Sequence, residues 1–135
     1  PEEQIIVLSA QVEAELVGLN VDESKEFLAE LGIKESGLDQ LIKKSYKLLN
    51  LITYFTSGEK ETKAWTVING SSAPQAAGKI HTDFEKGFIR AEVISWKDFV
   101  DCDGEVKAKE KGLIRLEGKE YIVNDGDVMH FRFSV

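Results

Sequence analysis

The sequence predicts an α+β fold of β-grasp (ubiquitin-like) layout, and three observations carry that expectation. Two period-two stretches, 51–56 and 63–69, flank a Ser57-Gly58-Glu59 turn and read as a hairpin. A helix signal with a stripe of small residues follows, suited to lying close on a sheet. More strands then close the chain, ending in a run that alternates large apolar with polar residues. One helix on a mixed sheet fits few compact folds of this length.

Taken in order, Ile5-Ile6-Val7-Leu8 is a continuous apolar run, the pattern of a strand buried on both faces of a parallel sheet. No second strand of that type follows within the next ~40 residues, so this strand reads as an orphan of another sheet. Ser9-Ala10 ends it, and residues 10–17 continue as a short helix. Asp22 is positioned to cap a helix through 31, with Glu23 in its first turn and Gly32 just past its end. Phe27, Leu28 and Leu31 share one face of it. Ser36 and Asp39 give a capping-box-like start to the next helix, where Leu38, Leu41, Ile42, Tyr46 and Leu49 recur at helical spacing. Lys43, Lys44 and Lys47 fall on its wet side or near its end.

In the hairpin, Trp65 and Val67 share one face, and Thr66 and Ile68 the other. Ser72-Ala73-Pro74-Gln75 is a capping box with proline tolerated in the first turn. Ala73, Ala76, Ala77 and Ile80 then form the stripe of mostly small residues. Gly87 precedes a strand over 88–94, in which Ile89, Ala91 and Val93 alternate with Arg90 and Glu92. Short helices are expected near 96–100 and 104–111, and short strands at 113–117 and 121–123. Asn124-Asp125-Gly126-Asp127 is a strong turn. The last strand, 128–134, puts Met129, Phe131 and Phe133 on one face and His130 and Arg132 on the other.

The totals narrow the function classes. The chain has 135 residues, one ordinary domain or a small domain plus an attachment. No apolar run approaches the ~18 residues of a membrane helix, and no secretory signal opens the chain. A first residue of proline reads as a processed or truncated product. One cysteine, Cys102, cannot form an internal disulfide, and a reducing cytoplasm fits it. The net charge of −7 argues against a general nucleic-acid binder. The charge is uneven: 5 Lys and Arg against 10 Asp and Glu in residues 1–51, but 12 against 14 in 52–135. The second part is near neutral and has room for a local basic face drawn from Lys60, Lys63, Lys79, Lys86, Arg90 or Arg132.

Catalytic constellations are scarce. Gly58-Glu59-Lys60 lacks the G-x-x-x-x-G-K-[ST] spacing that cradles phosphates. Two histidines and one cysteine, far apart, make no metal-ligand spacing, so no metal site is expected. Ser72, His81 and Asp83 are common types, and His81 at a helix end is better placed to bond the last carbonyls or Asp83 than to catalyse. The helix start at Ser71-Ser72 is expected to satisfy its N–H groups with its own cap, and Trp65 and Trp96 to pack in a core.

Several segments together carry a resemblance. Thr62 to Trp65, Ala73-Pro74-Gln75-Ala76-Ala77-Gly78, Ile80 to Val93, Leu116 to Tyr121 and Asp125 to Phe133 closely resemble the C-terminal end of the YchF/Obg-like ATPase family. Ile80-His81-Thr82-Asp83 is also similar to TGS domains, the β-grasp modules of threonyl-tRNA synthetases and stringent-response synthetases. Ile6 to Ala10 looks like the last strand of a G domain and its serine-alanine loop, which in the family lies near the nucleotide base. Asn20-Val21-Asp22-Glu23 has the letters of the family's N-x-x-E base motif, but it follows that loop instead of preceding it, so Asp22 reads as a helix cap.

The resemblance implies residues 1–50 as the end of a G domain plus a helical connector, and 51–135 as a TGS domain. It implies an intact parent that binds and hydrolyses ATP or GTP with magnesium in the cytoplasm and associates with ribosomes. The phosphate loop, switch regions and magnesium ligands are absent from these 135 residues, so the chain itself is expected to be inactive and to hold no cofactor. Ser9 and Ala10 are the expected remnant of the base site, too little for measurable nucleotide binding. Arg90, Glu92, His130 and Arg132 face outward by alternation and are the candidate surface for ribosome, RNA or the chain's own G domain. Neither membrane nor DNA is an expected partner. A stand-alone RNA- or protein-binding module without nucleotidase activity is the alternative.

Overall fold

Three capped helices open the chain in the computed structural model, which describes residues 5–134. They are α1 (Ala10–Leu16), α2 (Val21–Glu30) and α3 (Gly37–Leu48). Ser9 caps α1 by accepting from the Val12 N–H, and Ser36 caps α3 by accepting from the Asp39 N–H at 3.0 Å. The cap of α2 is Asn20, not the expected Asp22. Asn20 has the extended backbone a cap requires, and its side-chain oxygen accepts from the N–H groups of Asp22 and Glu23. Glu23 reaches back to the Asn20 N–H at 2.9 Å. The N-x-x-E letters are therefore a capping box, and Asp22 lies inside the first turn.

Ile5–Leu8 forms no strand, against the sequence expectation of a doubly buried one. Ile5, Val7 and Leu8 are all exposed. A strand needs ladder partners, and no other strand lies in this unit among the described residues. The segment is instead tied to helices: the Ile5 carbonyl accepts from Lys44 Nζ, and Leu8 packs so close to Gly37 that a Cβ there would strike it. The Glu13 carboxylate accepts from the Gly37 and Leu38 N–H groups, joining α1 to the start of α3. The stripe of Leu38, Leu41, Ile42 and Leu49 is present but exposed.

The chain divides into two compact units between Leu49 and Asn50. The second unit is an α/β sheet assembly. Strands β1 (Leu51–Ser57) and β2 (Thr62–Ile68) form the expected hairpin, in register over seven pairs from Leu51↔Ile68 to Ser57↔Thr62. Helix α4 (Ala73–Ile80) follows, then the short α5 (Thr82–Lys86) and β3 (Phe88–Ser95). Short helices α6 (Trp96–Asp101) and α7 (Glu105–Glu110) lead to β4 (Arg115–Glu117) and β5 (Asp127–Phe133).

The sheet order is β2-β1-β5-β3-β4. β1 and β5 run parallel at Phe55↔Val128, and the other pairings are antiparallel. The sheet has five strands, one fewer than the sequence suggests. Residues 121–123 bond to the entry of α4 instead of a sheet edge: Ala73 N–H donates to the Tyr121 carbonyl, and Val123 N–H to the Ser71 carbonyl.

One face of the sheet packs against α4. Ala73, Ala76 and Ala77 are wholly buried there with Tyr54, Val67, Ala91, Val93, Met129 and Phe131. Methyl-sized side chains let the helix backbone approach the sheet closely. Phe84 stacks on Phe133 with ring centres 3.8 Å apart and closes one end. On the opposite face, Ile94, Val128, Cys102 and Ala108 form a smaller core with Phe55, Phe99 and Ile114. That smaller core covers only part of this face.

Candidate functional site

The uncovered part of that face is where the outward side chains of β3 and β5 meet. The two strands are antiparallel neighbours, so alternation alone brings Arg90, Glu92, His130 and Arg132 to one surface. Arg90 lies directly opposite Arg132, and Glu92 directly opposite His130. On the diagonal, Arg132 Nε donates to Glu92 Oε1 at 3.3 Å. The Glu92 side chain is 10% exposed and that of Arg132 is 51% exposed. Arg90 has no ion-pair or hydrogen-bond partner among the described residues.

Two apolar side chains border this group, and sequence reasoning missed both. Leu116 on β4 stands opposite Glu92 and is exposed. Ile89 was expected inside with Ala91 and Val93, but the register shifts between Phe88 and Arg90. The bulge gives the inward position to Phe88 and expels Ile89 to solvent beside Arg90. Gly87 stands just before the bulge, but neither Phe88 nor Ile89 is a glycine or proline that would mark it in the sequence. Toward α6 and α7 the face ends in a small groove lined by residues including Glu92, His130, Phe99 and Glu105.

The remaining candidates have other duties. His81 ends α4 and caps α5, its Nδ1 accepting from the Asp83 N–H at 3.2 Å and its ring tilted against Phe84. It is exposed, and no nucleophile stands beside it among the contacts described. At the α4 start, the Ser72 N–H donates to Gln75 Oε1, completing the expected cap. Lys63 lies over the ring of half-buried Trp65 at 4.2 Å, on the face away from Arg90. Trp96 was expected in a core but is 54% exposed at the start of α6. Ser9 and Ala10 form the cap and first residue of α1, in the other unit.

Among the described residues no three His, Cys, Asp or Glu side chains are grouped to hold a metal ion. The Ser9 hydroxyl already accepts a backbone N–H, and the sequence has no phosphate loop. The β3–β5 face instead carries two arginines, one of them paired with Glu92, beside exposed Ile89 and Leu116.

The profile of the YchF-GTPase_C family, described as a protein of unknown function (DUF933), matches residues 51–134. The ribosome-binding ATPase YchF of Bacillus subtilis (strain 168) is 58% identical over 132 residues, 98% of this chain and 36% of that protein. The YchF ATPase of Escherichia coli O157:H7 is 58% identical over 131 residues, again covering 36% of its length. The chain thus spans about a third of the curated relatives it matches. Among solved structures, the Schizosaccharomyces pombe YchF GTPase superposes with a TM-score of 0.81 at 40% identity, over 93% of this chain and 33% of that one. A GTP-binding protein of Pyrococcus horikoshii OT3 shares the fold at 22% identity and a TM-score of 0.54, over 82% of this chain and 28% of that one.

Proposed function

The chain belongs to the YchF-GTPase_C family, and on that premise we propose that it is the C-terminal, ribosome-docking part of a longer cytoplasmic ATPase or GTPase. Residues 51–135 act as a TGS domain of β-grasp type. In support, the central strands β1 and β5 are parallel, the order is β2-β1-β5-β3-β4, and one helix crosses the inner face. Residues 1–50 are the end of the nucleotide-binding domain and its helical connector. The relatives' printed names supply ATP hydrolysis and ribosome binding. In the longer protein, ATP or GTP with magnesium would be held by residues outside this sequence, which has no phosphate loop.

The observation that carries docking is the open β3–β5 face, where Arg90 and Arg132 stand side by side with His130. Ribosomal RNA presents phosphates, and cationic side chains that meet them make binding fall with salt. The chain's own nucleotide-binding domain is the other surface this face would meet. Co-sedimentation of the chain with ribosomes across a salt series tests the reading. Loss of pelleting at moderate salt supports it, and pelleting unaffected by salt overturns it.

A further inference from the structure

Resting on the reading that this face meets RNA, we propose that Arg90 and Arg132 form a clamp for a single RNA backbone phosphate, and that Glu92 occupies half of it as an internal stand-in for that phosphate.

Like charges directly opposite on neighbouring strands destabilise a sheet. Here two guanidinium groups hold such a position, at Arg90↔Arg132, on an exposed face. Glu92 relieves one of them: its carboxylate accepts from Arg132 Nε at 3.3 Å and is nearly withdrawn from solvent. Arg90 is left unpaired among the described residues. The site thus holds two planar cations against one carboxylate, and it lacks one anion.

A phosphodiester supplies that anion in the matching shape. Guanidinium groups bond phosphate oxygens through paired N–H donors, and side chains directly opposite on a sheet are close enough to share one phosphate. As the phosphate arrives, Arg132 exchanges the Glu92 oxygen for a phosphate oxygen. Glu92 is the one acid among the outward-facing residues of β3, β4 and β5, so repulsion of an incoming phosphate from these strands is concentrated there. Ile89, 55% exposed at the bulge, and Leu116, 65% exposed on β4, flank the cations. Duplex RNA presents mainly its backbone, whereas single-stranded RNA also offers unstacked bases to apolar neighbours. The geometry therefore favours a single strand.

The test is fluorescence anisotropy of the chain with a labelled single-stranded RNA oligonucleotide, with the unlabelled strand, a duplex of the same sequence and inorganic phosphate as competitors; the unlabelled strand should compete better than the duplex, and the reverse would overturn the single-strand assignment. Arg90→Ala and Arg132→Ala should each weaken binding roughly tenfold and reduce the salt slope by about one. Arg90→Lys should restore the slope but not the full affinity. Glu92→Gln should tighten binding roughly threefold, because it frees Arg132. Thermal melts establish that each variant is folded. Weaker binding by folded Glu92→Gln, or arginine variants that leave affinity and slope unchanged, would overturn the clamp. Stronger competition by inorganic phosphate than by unlabelled RNA would overturn the RNA source. The two readings fail separately. Salt-sensitive pelleting with ribosomes that survives both arginine substitutions sinks the clamp and keeps docking. The predicted oligonucleotide responses without any ribosome pelleting sink docking and keep the clamp.

Discussion

The phenolic oxygen of Tyr54 donates a 2.8 Å hydrogen bond to the backbone carbonyl of Ala76, tying the middle of β1 to the middle of α4. Both residues are wholly buried. The carbonyl belongs to a helix of only eight residues, and the bond fixes how deep that helix sits. Tyr54→Phe keeps the ring and its edge contact with Phe131 but removes the donor. It should cost about 1–2 kcal/mol in urea unfolding, with little change in m-value.

Burial also pushes the Tyr54 phenol well above its ordinary pKa of 10.0. A raised folded-state value means that the unfolded chain releases this proton first. The stabilisation is complete below pH ~10 and is lost as pH climbs from there toward the folded value. Burial raises Tyr121 as well, so Tyr54→Phe should blunt the alkaline loss without abolishing it. Urea midpoints at pH 8, 10 and 11 for both proteins check this. Equal alkaline losses would show that Tyr54 contributes none of the effect.

Much of the second unit is legible in the sequence because local signals agree with one another there. The Ser57–Glu59 turn, the small-residue stripe of α4 and the alternation of β5 each meet a matching neighbour in the fold. The misses are tertiary. Whether Ile89 points in or out depends on a register shift set by how Phe88 pairs with Phe133. Residues 121–123 look like a strand but are captured by the α4 entry. The candidate face was only half readable. Alternation gives which side Arg90 and Arg132 face, but that they oppose each other follows from the adjacency of β3 and β5, which no local pattern encodes.

Asn20 and Asp22 offer a direct contrast in the first unit. Asn20 satisfies two orphan N–H groups of α2 and receives the reciprocal bond from Glu23. Asp22 is exposed, and its only described ion pair is a 4.0 Å contact with Lys25. Asn20→Ala should therefore cost about 1 kcal/mol, while Asp22→Ala stays within a few tenths. Amide exchange across 21–30 reads this locally. Faster exchange in the Asp22 variant than in the Asn20 variant would return the cap to Asp22.

Gly126 sits in the turn before β5 at φ +83°, and a Cβ there would run into the Trp96 ring. The Gly126 carbonyl also accepts from the Trp96 N–H at 2.8 Å, and its N–H donates to Thr53 at 2.7 Å. Gly126→Ala therefore strains the backbone and displaces the indole together. The expected cost is about 1–3 kcal/mol, with a shift in tryptophan emission as Trp96 moves. An unchanged spectrum and melting temperature would mean that the turn accommodates the methyl group.

Asp127 is the one buried charged residue among the described core, and its bonds account for it. Its Oδ2 accepts from the Tyr121 hydroxyl at 2.8 Å and from the Asn124 N–H at 2.9 Å. Arg115 Nη2 lies 3.8 Å from Oδ1 and donates to the Tyr121 oxygen at 3.1 Å. The Asn124 side chain donates to that same oxygen at 3.0 Å. The hydroxyl is thus a relay, accepting from two donors and donating its own hydrogen bond to the carboxylate. Removing the carboxylate leaves a part-buried N–H and hydroxyl without their acceptor, a loss of about 1–3 kcal/mol for Asp127→Ala. Tyr121→Phe alone should cost less, because Asp127 retains Asn124. If the relay acts as a unit, the double variant is less destabilised than the two single losses added together, by at least about 0.5 kcal/mol. Strict additivity in a urea double-mutant cycle would show that the 2.8 Å bond contributes nothing to coupling. The turn at 124–127 would then be held by its backbone alone.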